Sequence, residues 1–313
     1  MRLLLLGCTG LVGRELVPTL LDAGHQLTLV SRRPRMAVPW ANDRQLDWVQ
    51  QDPAQASSWV QGGALQQALA AADGVVNLAG EPIAEQRWTP NHLRLLHDSR
   101  IATTGHLTAA MGALATPPSV LVNASAVGFY GTSETARFVE SSEAGKDVLG
   151  SLCCQWEAAA GGRPPATRLV VVRIGIVLAP DGGALGKMLP VFRAGFGGPI
   201  GSGRQWMSWI HRTDLCTLIQ TALTDSQWNG VVNGVAPQPV SMASFASTLG
   251  RCLGRPSLLP VPGPVLHLLL GDGARVVLDG QQVHSERLSQ LGFSFRYPDV
   301  SEALAAATTT RSR

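Results

Sequence analysis

Near the start of the chain, Gly7-Cys8-Thr9-Gly10-Leu11-Val12-Gly13 sets three glycines three residues apart. In such a pattern the first glycine permits a tight turn after a strand. The middle one lets a pyrophosphate reach the backbone, and the last lets the next helix pack closely on the sheet. N–H groups freed at the helix start, with the positive end of the helix dipole, suit phosphate oxygens. Gly7, Thr9, Gly10, Leu11, Val12 and Gly13 are therefore read as a dinucleotide cradle, the alternative being a tight turn without a cofactor. A second group, Ser31-Arg32-Arg33, stands where an NAD enzyme usually places an acid for the ribose hydroxyls. Two guanidinium groups and a hydroxyl suit a 2′-phosphate instead, which predicts NADP(H). One of the arginines can equally be an ordinary surface charge.

Further polar residues form a set of substrate candidates. Glu81, Arg87 and Trp88 follow a strand end, on the side where open α/β sheets bind ligands. Glu81 and Arg87 would form a polar grip or a surface ion pair. Lys187, Arg204 and Trp206 lie in or after a glycine-rich stretch, and cations beside flat indoles suit an anionic or sugar-like ligand. Trp206 and Trp209, three apart, can also be packing partners. No His, Asp and Cys set has metal-ligand spacing.

The elements that must position these residues alternate. Arg2–Leu6 reads as a buried strand, 11–23 as a helix with apolar residues at helical spacing, and Gln26–Ser31 as a second strand. Short strands follow at 46–49, 74–78, 119–124 and 168–172, with helices at 64–72, 92–114 and 149–160. Strands alternating with helices predict an α/β fold, a Rossmann-like doubly wound parallel sheet. After residue 178 the alternation stops. The expected organisation is a cofactor-binding Rossmann domain over 1–178 and a smaller substrate lobe over 179–313, with some segments returning to the sheet. Residues 179–203 are expected to be glycine-rich loop, and 305–313 to fray.

Composition narrows the function. The chain has 313 residues, 45% of them hydrophobic, and a net charge of +3. With no basic run, a nucleic-acid partner is not expected. Five scattered cysteines without a CxxC pair argue against a disulfide framework, and no apolar run is long enough for a signal peptide or a membrane span. A cytoplasmic location is expected.

Several motifs together resemble the extended short-chain dehydrogenases/reductases, and within them the sugar-epimerase-like "epimerase family". They are the glycine turn, Asn77-Leu78-Ala79-Gly80-Glu81-Pro82-Ile83 with Arg87-Trp88, Ser99-Arg100-Ile101 and Gly128-Phe129-Tyr130-Gly131. Trp156-Glu157, Arg173-Ile174-Gly175, Gly186-Lys187-Met188-Leu189-Pro190, Trp209-Ile210-His211 with Asp214, and Gly292-Phe293-Ser294-Phe295-Arg296-Tyr297-Pro298 complete the set. The resemblance covers nearly the whole chain, including a small C-terminal domain. It implies that Leu78, Ala79 and Gly80 lie along the cofactor. It adds Arg100 as a cofactor contact, although a structural pairing within its helix is the alternative. It also implies a homodimer.

That superfamily works with Ser, Tyr and Lys, the last two spaced YxxxK. Here Ser125 matches the serine, but YxxxK is absent. Aligning Glu157 with the acid that trails the motif puts Leu149 at the tyrosine position and Cys153 at the lysine position, and neither does that proton chemistry. Tyr130, five residues after Ser125, is the substitute acid, or else an aromatic packed at the cofactor edge. Cys153 is read as helix packing. The sequence thus predicts an NADP(H)-dependent oxidoreductase or epimerase-like enzyme for a small polar substrate, with Ser125 and Tyr130 catalytic. Its rival, favoured by the missing YxxxK, is a non-catalytic NADP(H)-binding sensor or partner-binding protein.

Overall fold

The structure is a computed structural model and describes residues 1–35, 38 and 40–309. Its first strand, β1 (Arg2–Leu6), consists almost wholly of leucine because both faces of a parallel sheet are covered. Strand alternation sends Leu3 and Leu5 into one core cluster and Leu4 and Leu6 into another. Helix α1 (Gly13–Asp22) buries Leu16, Val17, Leu20 and Leu21 on the first of these. Next come β2 (Gln26–Ser31), β3 (Leu46–Gln50), α2 (Ala64–Ala71), β4 (Gly74–Asn77), α3 (Pro90–His97) and α4 (Thr103–Gly112). The first half closes with β5 (Val120–Ala126), β6 (Arg137–Phe138), α5 (Val148–Gly161) and β7 (Arg168–Ile174).

Beyond these lie β8 (Ile176–Leu178), α6 (Gly183–Arg193), β9 (Trp206–Met207), β10 (Trp209–His211), α7 (Arg212–Thr224) and β11 (Gly230–Gly234). The chain continues through β12 (Val240–Ser241), α8 (Met242–Leu253), α9 (Gly263–Leu270), α10 (Arg275–Leu278), β13 (Gln282–Val283), α11 (Glu286–Gln290) and α12 (Val300–Thr308). The central sheet has seven parallel strands in the order β3-β2-β1-β4-β5-β7-β11. Helices α1 and α7 contribute to one face and α2 and α4 to the other, the doubly wound arrangement. Strand order reverses between β1 and β4, which opens a crevice at their carboxyl ends.

Three segments differ from the sequence reading. The single helix expected over 92–114 is two helices joined by a π-helical turn, Asp98–Ala102, which carries the buried Arg100. The glycine-rich stretch holds a helix, α6, whose Leu185, Leu189 and Phe192 are buried at i, i+4 and i+7. With Phe245 and Leu249 of α8 and Ala303 and Leu304 of α12, they form the core of the C-terminal lobe. The last helix continues through Thr308 with Ala307 buried, so 305–308 do not fray, while 310–313 lie outside the described residues. The sheet takes its seventh strand, β11, from beyond residue 178.

Asp214 is tied to the lobe as well. Its carboxylate accepts backbone N–H groups of Arg296 (2.7 Å) and Tyr297 (3.1 Å), whereas α7 is capped by the His211 ring. Among the described residues no helix is long and apolar enough to cross a membrane, and no group of three His, Cys, Asp or Glu side chains is placed to hold a metal ion.

Candidate functional site

The turn between β1 and α1 is held by contacts that only glycine allows. Gly7 has φ +73°, and a Cβ there would lie 2.4 Å from the backbone of Leu78 and Ala79. The turn thus sits directly on the end of β4. A Cβ on Gly13 would lie 1.8 Å from the carbonyl oxygen of Cys8, so that glycine lets α1 close on the turn. At Gly10 the nearest heavy atom to such a Cβ is the Gly7 oxygen at 3.7 Å. The middle glycine therefore faces open space at the start of α1, where a pyrophosphate would need to reach the backbone. The Cys8 side chain is buried below the turn, and burial pushes its thiol up to about 12.

The end of β2 supplies the two cations. Ser31 is buried, and its hydroxyl accepts the backbone N–H of Arg33 at 3.0 Å. Arg32 reaches across the crevice to Glu81, 3.2 Å away. Glu81 therefore pairs with Arg32 at the end of β2. Arg14 and Glu15, in the first turn of α1, fasten the C-terminal half to the glycine turn. Arg14 meets Asp181 at 3.2 Å, and Arg212 bridges Glu15 at 2.7 Å and Asp181 at 2.5 Å.

A cavity of about 360 Å³ opens from the same crevice. Val12 and Gly80 bring the glycine turn and the β4 end to its wall, Ser125 sits at the end of β5, and Leu149 and Cys153 face it from α5. Helix α5 thus presents the two positions of the missing YxxxK to the cavity, filled by an alkyl group and a thiol. Burial pushes the Cys153 thiol up to about 11, so it is a neutral group there, donating to the Ala126 oxygen at 3.8 Å.

Behind Ser125 lies a buried polar network. The Ser125 hydroxyl donates to Glu157 at 2.6 Å. Arg173 grips the same carboxylate with two nitrogens, at 2.9 and 2.8 Å. The Arg173 and Glu157 side chains are only 5% and 14% exposed. Arg173 also donates to the Tyr130 hydroxyl (2.9 Å) and to the Glu140 backbone oxygen (3.2 Å), and its guanidinium lies 3.3 Å over the Phe129 ring. Tyr130 in turn donates to Asn233 at 2.7 Å.

Tyr130, expected as the acid, stands in this network and apart from the cavity. Its side chain is buried, it stacks on Phe138, and its hydroxyl is spent between Asn233 and Arg173, away from the cavity lining. Burial raises its pKa, with Arg173 opposing. Residue spacing brought Tyr130 near Ser125 along the chain, but the short 3₁₀ turn Val127–Tyr130 aims its ring the other way, into the network.

The remaining candidates separate in space. Arg100 lines the cavity, but its guanidinium is committed to the oxygens of Leu96 (3.2 Å) and Glu81 (2.9 Å), and burial lowers its pKa to about 10. A Cβ on Gly80 would lie 2.9 Å from that guanidinium, so Arg100 braces the β4 end. Trp206 lines the cavity while its indole N–H donates to the Glu134 oxygen. Trp88 lines a neighbouring groove of about 380 Å³ that shares Asp147, Leu149 and Leu152 with the first. Glu81, Arg87, Lys187 and Arg204 line neither. Their charges are satisfied elsewhere: Glu81 by Arg32, Lys187 by Glu85 at 3.9 Å, Arg204 by Glu134 at 3.7 Å, and Arg87 by the Leu268 oxygen. Glu81 and Arg87, expected as a polar substrate grip, are held by these other partners.

The pair that sequence reasoning missed is Glu157 with Arg173, although each stands inside a motif it singled out. A signal was available. Arg173 sits in the strand RLVVVRI, and an arginine in a buried strand requires an acceptor of its own.

Residues 3–233 match the NAD dependent epimerase/dehydratase family, and 261–307 match a domain of unknown function, DUF1731. The epimerase family protein SDR39U1 homolog, chloroplastic, of Arabidopsis thaliana is 42% identical over 306 residues, covering 96% of this chain and 84% of that one. Epimerase family protein SDR39U1 of Homo sapiens is 39% identical over 308 residues, covering 97% and 98%. A crystal structure of the human protein (isoform2) with NADPH superposes with a TM-score of 0.85 at 37% identity, covering 98% of this chain and 99% of that one. The chain belongs to the NAD dependent epimerase/dehydratase family, within its SDR39U1-like members that carry the C-terminal DUF1731 domain.

Proposed function

We propose that the chain binds NADP(H) along the glycine turn and is an oxidoreductase or epimerase-like enzyme acting on a small molecule held in the 360 Å³ cavity. One observation carries this reading: the cavity shares its walls between Val12 of the glycine turn, Gly80 at the β4 end and Ser125. A nicotinamide laid along the turn would therefore end beside Ser125. Arg32 and Arg33 support NADP(H) over NAD(H), as does the NADPH in the human relative's crystal structure. The bound cofactor would supply or take up hydride. The chain's own residues would do the rest: Gly10 and the α1 N-terminus hold phosphates, Arg32 and Arg33 hold the 2′-phosphate, and Ser125 orients the reacting group.

Each charge-assisted contact to the 2′-phosphate contributes roughly 1.5–3 kcal/mol. NADPH should then bind at least about tenfold tighter than NADH. Quenching of tryptophan fluorescence on titration measures both, and equal affinities would refute the assignment. A metabolite screen following NADPH absorbance tests turnover.

A second reading rests on a separate observation. Leu149 and Cys153 face the cavity where YxxxK chemistry would lie, and Tyr130 is turned away. That favours an NADP(H)-binding sensor without turnover. NADPH binding combined with no consumption across the screen would support it over the enzyme.

A further inference from the structure

The Ser125 hydroxyl has a single proton, and the fold commits it inward. Ser125 Oγ lies 2.6 Å from Glu157 Oε1. An ionised carboxylate only accepts, so the hydrogen on that bond belongs to the serine. Arg173 is bidentate on the same carboxylate, and the two side chains are only 5% and 14% exposed. Ser125 therefore has lone pairs, and no hydrogen, to turn toward the cavity it lines.

Several other donors on the wall are likewise spent within the protein, while Thr132, Arg275 and Gln281 also line it. Ser208, also on the lining, donates its hydrogen to the Gln281 oxygen at 2.8 Å. The Trp156 indole donates to Thr104 at 3.1 Å, and that of Trp206 to Glu134 at 2.8 Å. Much of the rest is alkyl: Val12, Leu78, Ile83, Leu149, Leu152 and Ile176.

We propose that this cavity selects ligands that present a hydrogen-bond donor, such as a secondary hydroxyl on a largely apolar body, to Ser125, and disfavours the corresponding ketones. This reverses the role the sequence suggested, in which the serine donates to a reacting oxygen. A carbonyl placed there would set its lone pairs against those of Ser125, and the serine would be left unpaired. The inference rests on the reading of this cavity as the substrate site, and it makes Glu157 a positioning residue that fixes the direction of the Ser125 hydrogen bond.

The test uses the full chain and a matched pair of probes, cyclohexanol and cyclohexanone. Their affinities are measured by ligand-observed NMR, first without cofactor and then with NADP⁺ for the ketone and NADPH for the alcohol, combinations that cannot turn over. Cyclohexanol should bind at least about tenfold tighter than cyclohexanone. In Ser125→Ala the alcohol should lose about that factor while the ketone, freed of the opposing lone pairs, binds at least as well as before. Glu157→Leu frees the serine hydrogen and should raise ketone affinity. If that variant does not fold, the Ser125→Ala comparison decides alone. Equal or tighter ketone binding by the natural chain overturns the proposal, as does a Ser125→Ala variant that keeps the preference. Binding of neither probe overturns the ligand class. Failure of the cofactor reading would appear separately, as an absence of NADPH quenching in a titration with no probe present.

Discussion

Replacing Arg173 by methionine tests whether the buried network holds the site together. The change keeps an unbranched apolar stem and removes the charged guanidinium. It leaves the Glu157 carboxylate, 14% exposed, with the Ser125 hydroxyl but without the two Arg173 donors at 2.9 and 2.8 Å. It also takes a donor from the Tyr130 hydroxyl and the Glu140 oxygen. Removing one partner of a buried ion pair costs about 3–5 kcal/mol, because the remaining charge stays desolvated. With about 2.1 cal/mol/K of unfolding entropy per residue, a chain of 313 residues converts that to a fall in Tm of about 5–8 °C. Urea unfolding followed by far-UV dichroism gives the free energy directly. The double variant Glu157→Gln/Arg173→Met removes the stranded charge and keeps an acceptor for Ser125, so it should recover at least about 2 kcal/mol of the loss. An Arg173→Met cost below about 1 kcal/mol, or a double variant no better than the single one, would refute the reasoning.

The glycine turn separates folding from binding: Gly10→Val should fold with unchanged unfolding free energy and lose NADPH quenching, because its Cβ enters open space. Gly13→Ala should instead be strongly destabilised, because its Cβ meets the Cys8 backbone at 1.8 Å. Tyr130→Phe should cost about 1–3 kcal/mol of stability by leaving Asn233 Oδ1 without its donor, and NADPH affinity should not change. The His211 ring caps α7 by accepting from the Thr213 N–H, and burial lowers its pKa from 6.5 to about 4. The unfolded chain therefore binds that proton first. This contribution to stability is complete above pH 6.5 and is lost as pH falls from there toward 4, with up to about one proton taken up on unfolding. His211→Asn, which keeps a cap acceptor, should show a flatter stability profile across that window, measured by urea titrations at stepped pH.

Most of the sheet was legible because its signals are local. Four consecutive leucines closed by a glycine are short enough to suit a strand buried on both faces, and the spacing of Leu16, Val17, Leu20 and Leu21 suits a helix. Helix α6 was obscured because Gly183 and Gly186 lower local propensity. What forms it is burial of Leu185, Leu189 and Phe192 against α8 and α12, partners far along the chain. The π-turn at Asp98–Ala102 has the same kind of cause: Arg100 must place its guanidinium against the oxygens of Leu96 and Glu81, and a sequence with helical periodicity carries no mark of that constraint.

The site was legible in its residue types and not in its hydrogen-bond directions. Ser125 and Tyr130 were found because one ends β5 and the other closely follows it, yet five residues of separation do not say which way a ring points. Tyr130 is decided by Asn233, 103 positions away, and by Arg173, 43 positions away. The direction of the Ser125 proton is decided in turn by Glu157 on α5, whose carboxylate is gripped by Arg173 on the adjacent β7. Three elements therefore fix one hydrogen atom. A serine followed at a distance by glutamate and arginine is chemically unremarkable until the sheet brings β5 beside β7 with Ser125 opposite Arg173 in register. That register makes Ser125 an acceptor toward the cavity, and so the chemistry open to the site depends on strand pairing as much as on which residues the chain contains.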